Sequence, residues 1–156
     1  MTRKIDALLA EYGESHQNPT NKAVHWVCVP VIVWTVLALI WSLPVPGFFS
    51  AVPYLNWMTL LLALTLVYYV VVSWQLALGF LAYAAVCLAL VIWYEASFAL
   101  PLWQFALIVF VVAWAGQFWG HKVEGKKPSF FKDVQFLLIG PAWLLHFLYK
   151  RIGIAY

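Results

Sequence analysis

The sequence predicts an all-α integral membrane bundle: four transmembrane helices and a fifth short apolar segment that spans or re-enters. Three observations carry this. Of 156 residues, 65% are apolar and only 10% charged, with a mean hydropathy of +0.88. From Ala23 to Tyr94 no Asp, Glu, Lys or Arg occurs in 72 residues. The apolar runs approach the ~20 residues that ~30 Å of hydrocarbon requires. A soluble core of this size has no reason to keep so long a stretch from water, so a water-soluble globule is excluded.

Met1 to Tyr12 lacks the apolar stretch of a secretory signal, because Arg3, Lys4, Asp6 and Glu11 interrupt it, so the first membrane helix is expected to be retained. Spans follow at Ala23 to Leu43, Pro53 to Ser73, Gln75 to Tyr94 and Leu100 to Trp119. Pro44, Pro46, Gly47 and Pro53 break the first connection, whereas Ser73 to Gln75 is so short that the second and third helices must form an antiparallel hairpin. The fifth segment, Val134 to Tyr149, has Gly140-Pro141 near its middle, and its 16 residues fall just below spanning length. Without an internal repeat, residues 1–156 read as one membrane-embedded domain.

Charge orients the chain. Arg3, Lys4 and Lys22 precede the first span, and Lys122, Lys126, Lys127 and Lys132 follow the fourth. Four spans place both clusters on the cytoplasmic side, and a re-entrant last segment keeps Lys150 and Arg151 with them. A net charge of +3 distributed in this way points to lipid headgroups and not to nucleic acid. Trp26, Trp41, Trp57, Tyr94 and Trp119, near the expected helix ends, read as an interfacial aromatic belt. Cys28 and Cys87 lie apart in apolar runs and read as packing residues. The expected location is a bacterial inner membrane, crossed several times. Expected partners are membrane lipid and, as an open option, further copies of the chain.

The residues a mere anchor has no use for gather at two places. In His16-Gln17-Asn18-Pro19-Thr20-Asn21-Lys22-Ala23-Val24-His25, Pro19 prevents one continuous helix, so the chain can turn and bring both imidazoles to a common point. Asn18 and Thr20 are the available helix caps. In Gln117-Phe118-Trp119-Gly120-His121-Lys122-Val123-Glu124, the side chains of Gln117, His121 and Glu124 fall within roughly 60° on one helix face, and Gly116 and Gly120 leave space beside them. His146, in the last apolar run, would approach the other three along a re-entrant path. Neutral imidazoles ligate iron, zinc and copper, and a set with open positions suits non-haem Fe(II) and oxygen chemistry. No HExxH, CxxC, phosphate loop or serine nucleophile motif occurs. Residues alone therefore leave four readings: an oxygen-using iron enzyme, a zinc-dependent membrane hydrolase with Glu124 as general base, a small metal or ion transporter, and a purely structural lipid-interacting protein.

These motifs resemble a known family, the small membrane proteins related to the fungal endoplasmic-reticulum 2-hydroxy fatty acid dioxygenase. The resemblance rests on His16-x-Asn18-x-x-Asn21-Lys22-x-x-His25 with Pro30, on Gln117-x-x-Gly120-His121-x-x-Glu124 with Pro128, and on Gly140-Pro141. It implies Fe(2+)-dependent alpha-oxidation, in which a long-chain 2-hydroxy fatty acid reacts with O2 and loses one carbon. His16, His25 and His121 would then bind iron, with His146 as a further metal candidate. Glu124, Gln117 and Lys22 would serve catalysis, and Asn21 and Lys122 would contact substrate. A 2-hydroxy acid can chelate one metal through carboxylate and hydroxyl and leave a position for O2.

Overall fold

A computed structural model describes residue 9, residues 16–125 and residues 139–154, with residues 139 and 140 described by backbone alone. Lys126, Lys127, Pro128, Lys132 and the stretch from Val134 to Leu138 therefore lie outside the described residues. All regular structure among those described is helical: α1 (Pro19–Trp41), a 3-10 turn (Gly47–Ala51), α2 (Trp57–Val72), α3 (Trp74–Ser97), α4 (Leu102–Glu124) and α5 (Ile139–Ile152).

Three helices, α1, α3 and α4, are long and apolar enough to cross a membrane. Their outward faces agree with that environment: Val27 and Val112 are 66% and 67% exposed. Continuous apolar surface of this kind is stable against lipid and not against water. The expected second span is shorter than the sequence indicates. Asn56, not Pro53, begins it: the Asn56 side chain accepts from Met58 N at 3.0 Å, and Asn56 N donates to Thr59 Oγ1 at 2.9 Å. This reciprocal cap fixes the start at Trp57 and leaves 16 residues, about 24 Å of helix, against ~30 Å of hydrocarbon. α5 has 14 residues. Gly140 and Pro141 lie in its first turn, where a missing proline N–H has no helical partner to lose.

The chain divides into two compact units, Met1–Ile32 with Val111–Tyr156, and Val33–Phe110. Within the second unit, Ser73 alone joins α2 to α3. Its N–H donates to Tyr69 O at 2.8 Å to close one helix, and its hydroxyl accepts from Leu76 N at 3.5 Å to open the next. Tyr69 stacks on Phe80 with centroids 4.9 Å apart, so the expected hairpin is present, with Ser73 as its whole turn. At the other end of this unit, Trp41 Nε1 donates to Glu95 and Trp57 Nε1 to Pro44 O, so interfacial indoles also tie loop to helix.

Within the first unit, Asn18 caps α1 by accepting from Thr20 N at 2.8 Å, and Pro19 takes the first helical position. The helix thus starts four residues before Ala23, with His25 in its second turn. α4 continues past Trp119 to Glu124 and stops at Gly125, whose φ of +74° is the left-handed conformation that closes many helices. A Cβ on Gly120 would lie 2.5 Å from Asn21 Oδ1, and one on Gly116 would lie 3.0 Å from Cys28 Sγ. The space left by the two glycines is filled by α1, in the close helix contact that small residues four apart permit.

Candidate metal centre

Contact between α1 and α4 determines which side chains meet. His25 lies seven residues after the Asn18 cap on α1, His121 lies one position past Gly120 on α4, and His16 stands two residues before the cap, outside any helix. All three imidazoles are buried, at 2%, 5% and 2% exposure respectively. One ligand atom from each falls within 4.8 Å of the others. Ring centroids are separated by 4.1 Å (His16 and His25), 5.0 Å (His25 and His121) and 5.5 Å (His16 and His121). His25 Nδ1 sits 2.9 Å from Asn21 O, one turn earlier. With that nitrogen donating its proton, the lone pair falls on Nε2, the arrangement that holds a metal-ligating histidine by its far nitrogen.

Glu124 is not in the three-histidine group. Its Oε1 accepts from Gln17 N at 2.8 Å, and its Oε2 from Asn18 N at 2.9 Å and Asn21 Nδ2 at 3.0 Å. One carboxylate thereby fastens the backbone beside His16 to the end of α4 and, through Asn21, to the turn that holds His25. Glu124, expected to serve catalysis, acts here as a clasp between the two segments. Asn21, expected to contact substrate, is fully buried and spends its amide N–H on this clasp.

His146 is likewise outside the group; it is half-buried on α5 and meets the Phe147 ring at 5.6 Å. The α5 residue that reaches the centre is Trp143, 2% exposed, with its ring 5.4 Å from His16. Gln117 is buried one turn before His121, Lys22 is half-buried on α1, and Lys122 is exposed on α4. Both lysines flank the centre in sequence without entering it.

Three neutral nitrogen donors, drawn together below the surface with no thiolate, suit a divalent transition metal with positions open to other ligands. Fold and site together describe a helical protein with apolar candidate spans and a buried tri-histidine centre. The profile of one family, described as 2-hydroxy-palmitic acid dioxygenase Mpo1-like, matches residues 2–152, and the chain belongs to that family. No match is found among curated proteins or solved structures.

Proposed function

We propose that this chain is a membrane-embedded Fe(II)-dependent dioxygenase that oxidises long-chain 2-hydroxy fatty acids with O2 and shortens them by one carbon. The observation that carries the reading is the convergence of His16, His25 and His121 in a chain whose family is described by that substrate class. These three residues would hold the ion. Fe(II) there would supply the redox chemistry toward O2 that zinc lacks.

The protein's own groups do the rest. Glu124 keeps His16 in place, Asn21 O sets the His25 tautomer, and Trp143 packs on His16 so that its ring cannot turn away. Lys22 and Lys122 draw the fatty acid carboxylate toward the centre, and the acyl tail lies against lipid. If the product is the acid one carbon shorter, it balances with CO2 and water against one O2, with no further reductant. With four crossings and a short fifth segment, the N-terminus and the centre would lie on the cytoplasmic side of a bacterial inner membrane, the side that the positive-inside rule gives the flanking lysines.

A zinc hydrolase would need Glu124 as a base at the metal, but both of its oxygens are engaged by Gln17, Asn18 and Asn21. A transporter would string its histidines along a path, whereas these converge on one point. The test is protein purified without oxygen, loaded with Fe(II), and given O2 and 2-hydroxypalmitate. Oxygen consumption matched by a product one carbon shorter is the expected result. An iron-loaded protein that consumes no O2 with any 2-hydroxy acid chain length would refute it.

A further inference from the structure

We infer that the Gln117 carboxamide is the group that recognises the 2-hydroxyl of the substrate, accepting its proton in a hydrogen bond beside the histidine centre. The inference rests on the 2-hydroxy acid reading above and adds to it the residue that tells a hydroxylated acid from a plain one.

Gln117 is 7% exposed, and its Oε1 is buried with no hydrogen-bond donor among the described residues. Buried carbonyl oxygens are almost always paired, so an unpaired one beside a candidate site needs an explanation. Its direction is fixed by neighbours on α4. At about 100° per residue, Gln117 points within ~20° of Glu124, ~40° of His121 and ~60° of Gly120. Each of these faces the centre: Glu124 meets Gln17, Asn18 and Asn21, His121 meets His16 and His25, and Gly120 abuts Asn21. Phe118 and Trp119, on the other side of the helix, are more than half exposed. Gln117 therefore lies on the same face of α4 as His121, displaced from it by one turn, about 6 Å along the axis.

The chemistry of the unmet group selects its ligand. An amide oxygen can only accept, so the ligand must bring an O–H or N–H; a carboxylate or a methylene cannot satisfy it. A 2-hydroxy acid carries one such donor, on the carbon next to its carboxylate. A site built to hydrogen-bond a hydroxyl rejects the analogue lacking it far more strongly than an apolar pocket rejects an extra methylene.

The test compares ligands on protein loaded with Zn(II), which binds without turnover. Dissociation constants are measured for 2-hydroxypalmitate, 2-methoxypalmitate and palmitate. The methoxy acid keeps the ether oxygen that a metal can bind but has no proton to donate. Wild type should bind the hydroxy acid at least about tenfold more tightly than the methoxy acid. Gln117→Met, similar in shape and without a strong acceptor, should bind the two alike while keeping the wild-type affinity for palmitate and one metal per chain. Gln117→Glu, which still accepts, should restore the preference. A Gln117→Met protein that retains the wild-type preference overturns the inference and leaves the 2-hydroxy acid reading standing. A wild type that prefers neither acid over palmitate overturns both. Should Gln117→Met not fold, the hydroxy-to-methoxy ratio of the wild type alone decides: a ratio of one overturns the inference.

Discussion

Gly120→Ala probes how finely the helix contact controls the centre. The added Cβ would stand 2.5 Å from Asn21 Oδ1, 3.3 Å from Val24 Cγ1 and 3.4 Å from Val24 Cβ. Ordinary contact begins near 3.4 Å, so Asn21 or the whole of α1 must yield by about 0.9 Å. Asn21 has little freedom to do so alone, because it is fully buried and its amide holds Glu124 at 3.0 Å. If α1 moves instead, it carries His25 with it, and metal ligands tolerate errors of only about 0.2 Å. Overpacking of this kind costs about 1–3 kcal/mol, against up to ~1 kcal/mol gained from placing alanine in a helix interior. The variant should unfold at lower temperature and bind Co(II), followed by its visible absorption, about 10- to 100-fold more weakly. Gly47→Ala, where nothing lies within 4 Å, is the control and should do neither. A Gly120→Ala protein with wild-type stability and Co(II) affinity would refute the account of how α1 and α4 set the histidine spacing.

Glu124→Ala removes three hydrogen bonds to residues 17, 18 and 21 and should weaken metal binding at least tenfold; because it acts partly through His16, combining it with His16→Ala should cost less than the sum of the two single changes. His25→Ala or His121→Ala should abolish stoichiometric metal binding with membrane insertion intact, whereas His146→Ala should leave the metal content unchanged when measured by elemental analysis. Trp143→Ala opens a cavity against His16 and should destabilise the protein by about 3 kcal/mol in a denaturation series, with weaker metal binding. Asn56→Ala, in the other unit, removes the α2 cap and should cost about 1 kcal/mol with no effect on metal affinity.

Much of this was legible in the residues. The uncharged stretch points to the apolar helices; Asn18, one of the two caps the sequence offers, opens α1 four residues ahead of the Ala23 start that hydropathy gives; and Gln117, His121 and Glu124 share one face of α4. The start of α2 was misread because Pro53 is the louder signal, although Asn56 with Thr59 three residues on already spells a reciprocal cap. Glu124 reads as catalytic in the sequence, because a carboxylate three residues after a histidine can serve as a base beside it. Its partners are mostly backbone N–H groups of residues 17 and 18, which leave no trace in side-chain pattern. For α5, periodicity gives a face but not its rotation against the other helices. The sequence therefore singles out His146 by its chemistry, while Trp143, one turn earlier and without a signal of its own, is the residue whose ring lies against His16.

The Glu124 clasp joins residues 107, 106 and 103 positions apart. During synthesis at about 5–20 residues per second, His16 emerges several seconds before its fastener exists. A metal held by all three histidines could not be captured by a short nascent segment in the way a local finger motif captures zinc; it would enter only after His121, near the end of α4, has been made. Metal bound by all three histidines would thus also be a tally of molecules in which the end of α4 has met α1.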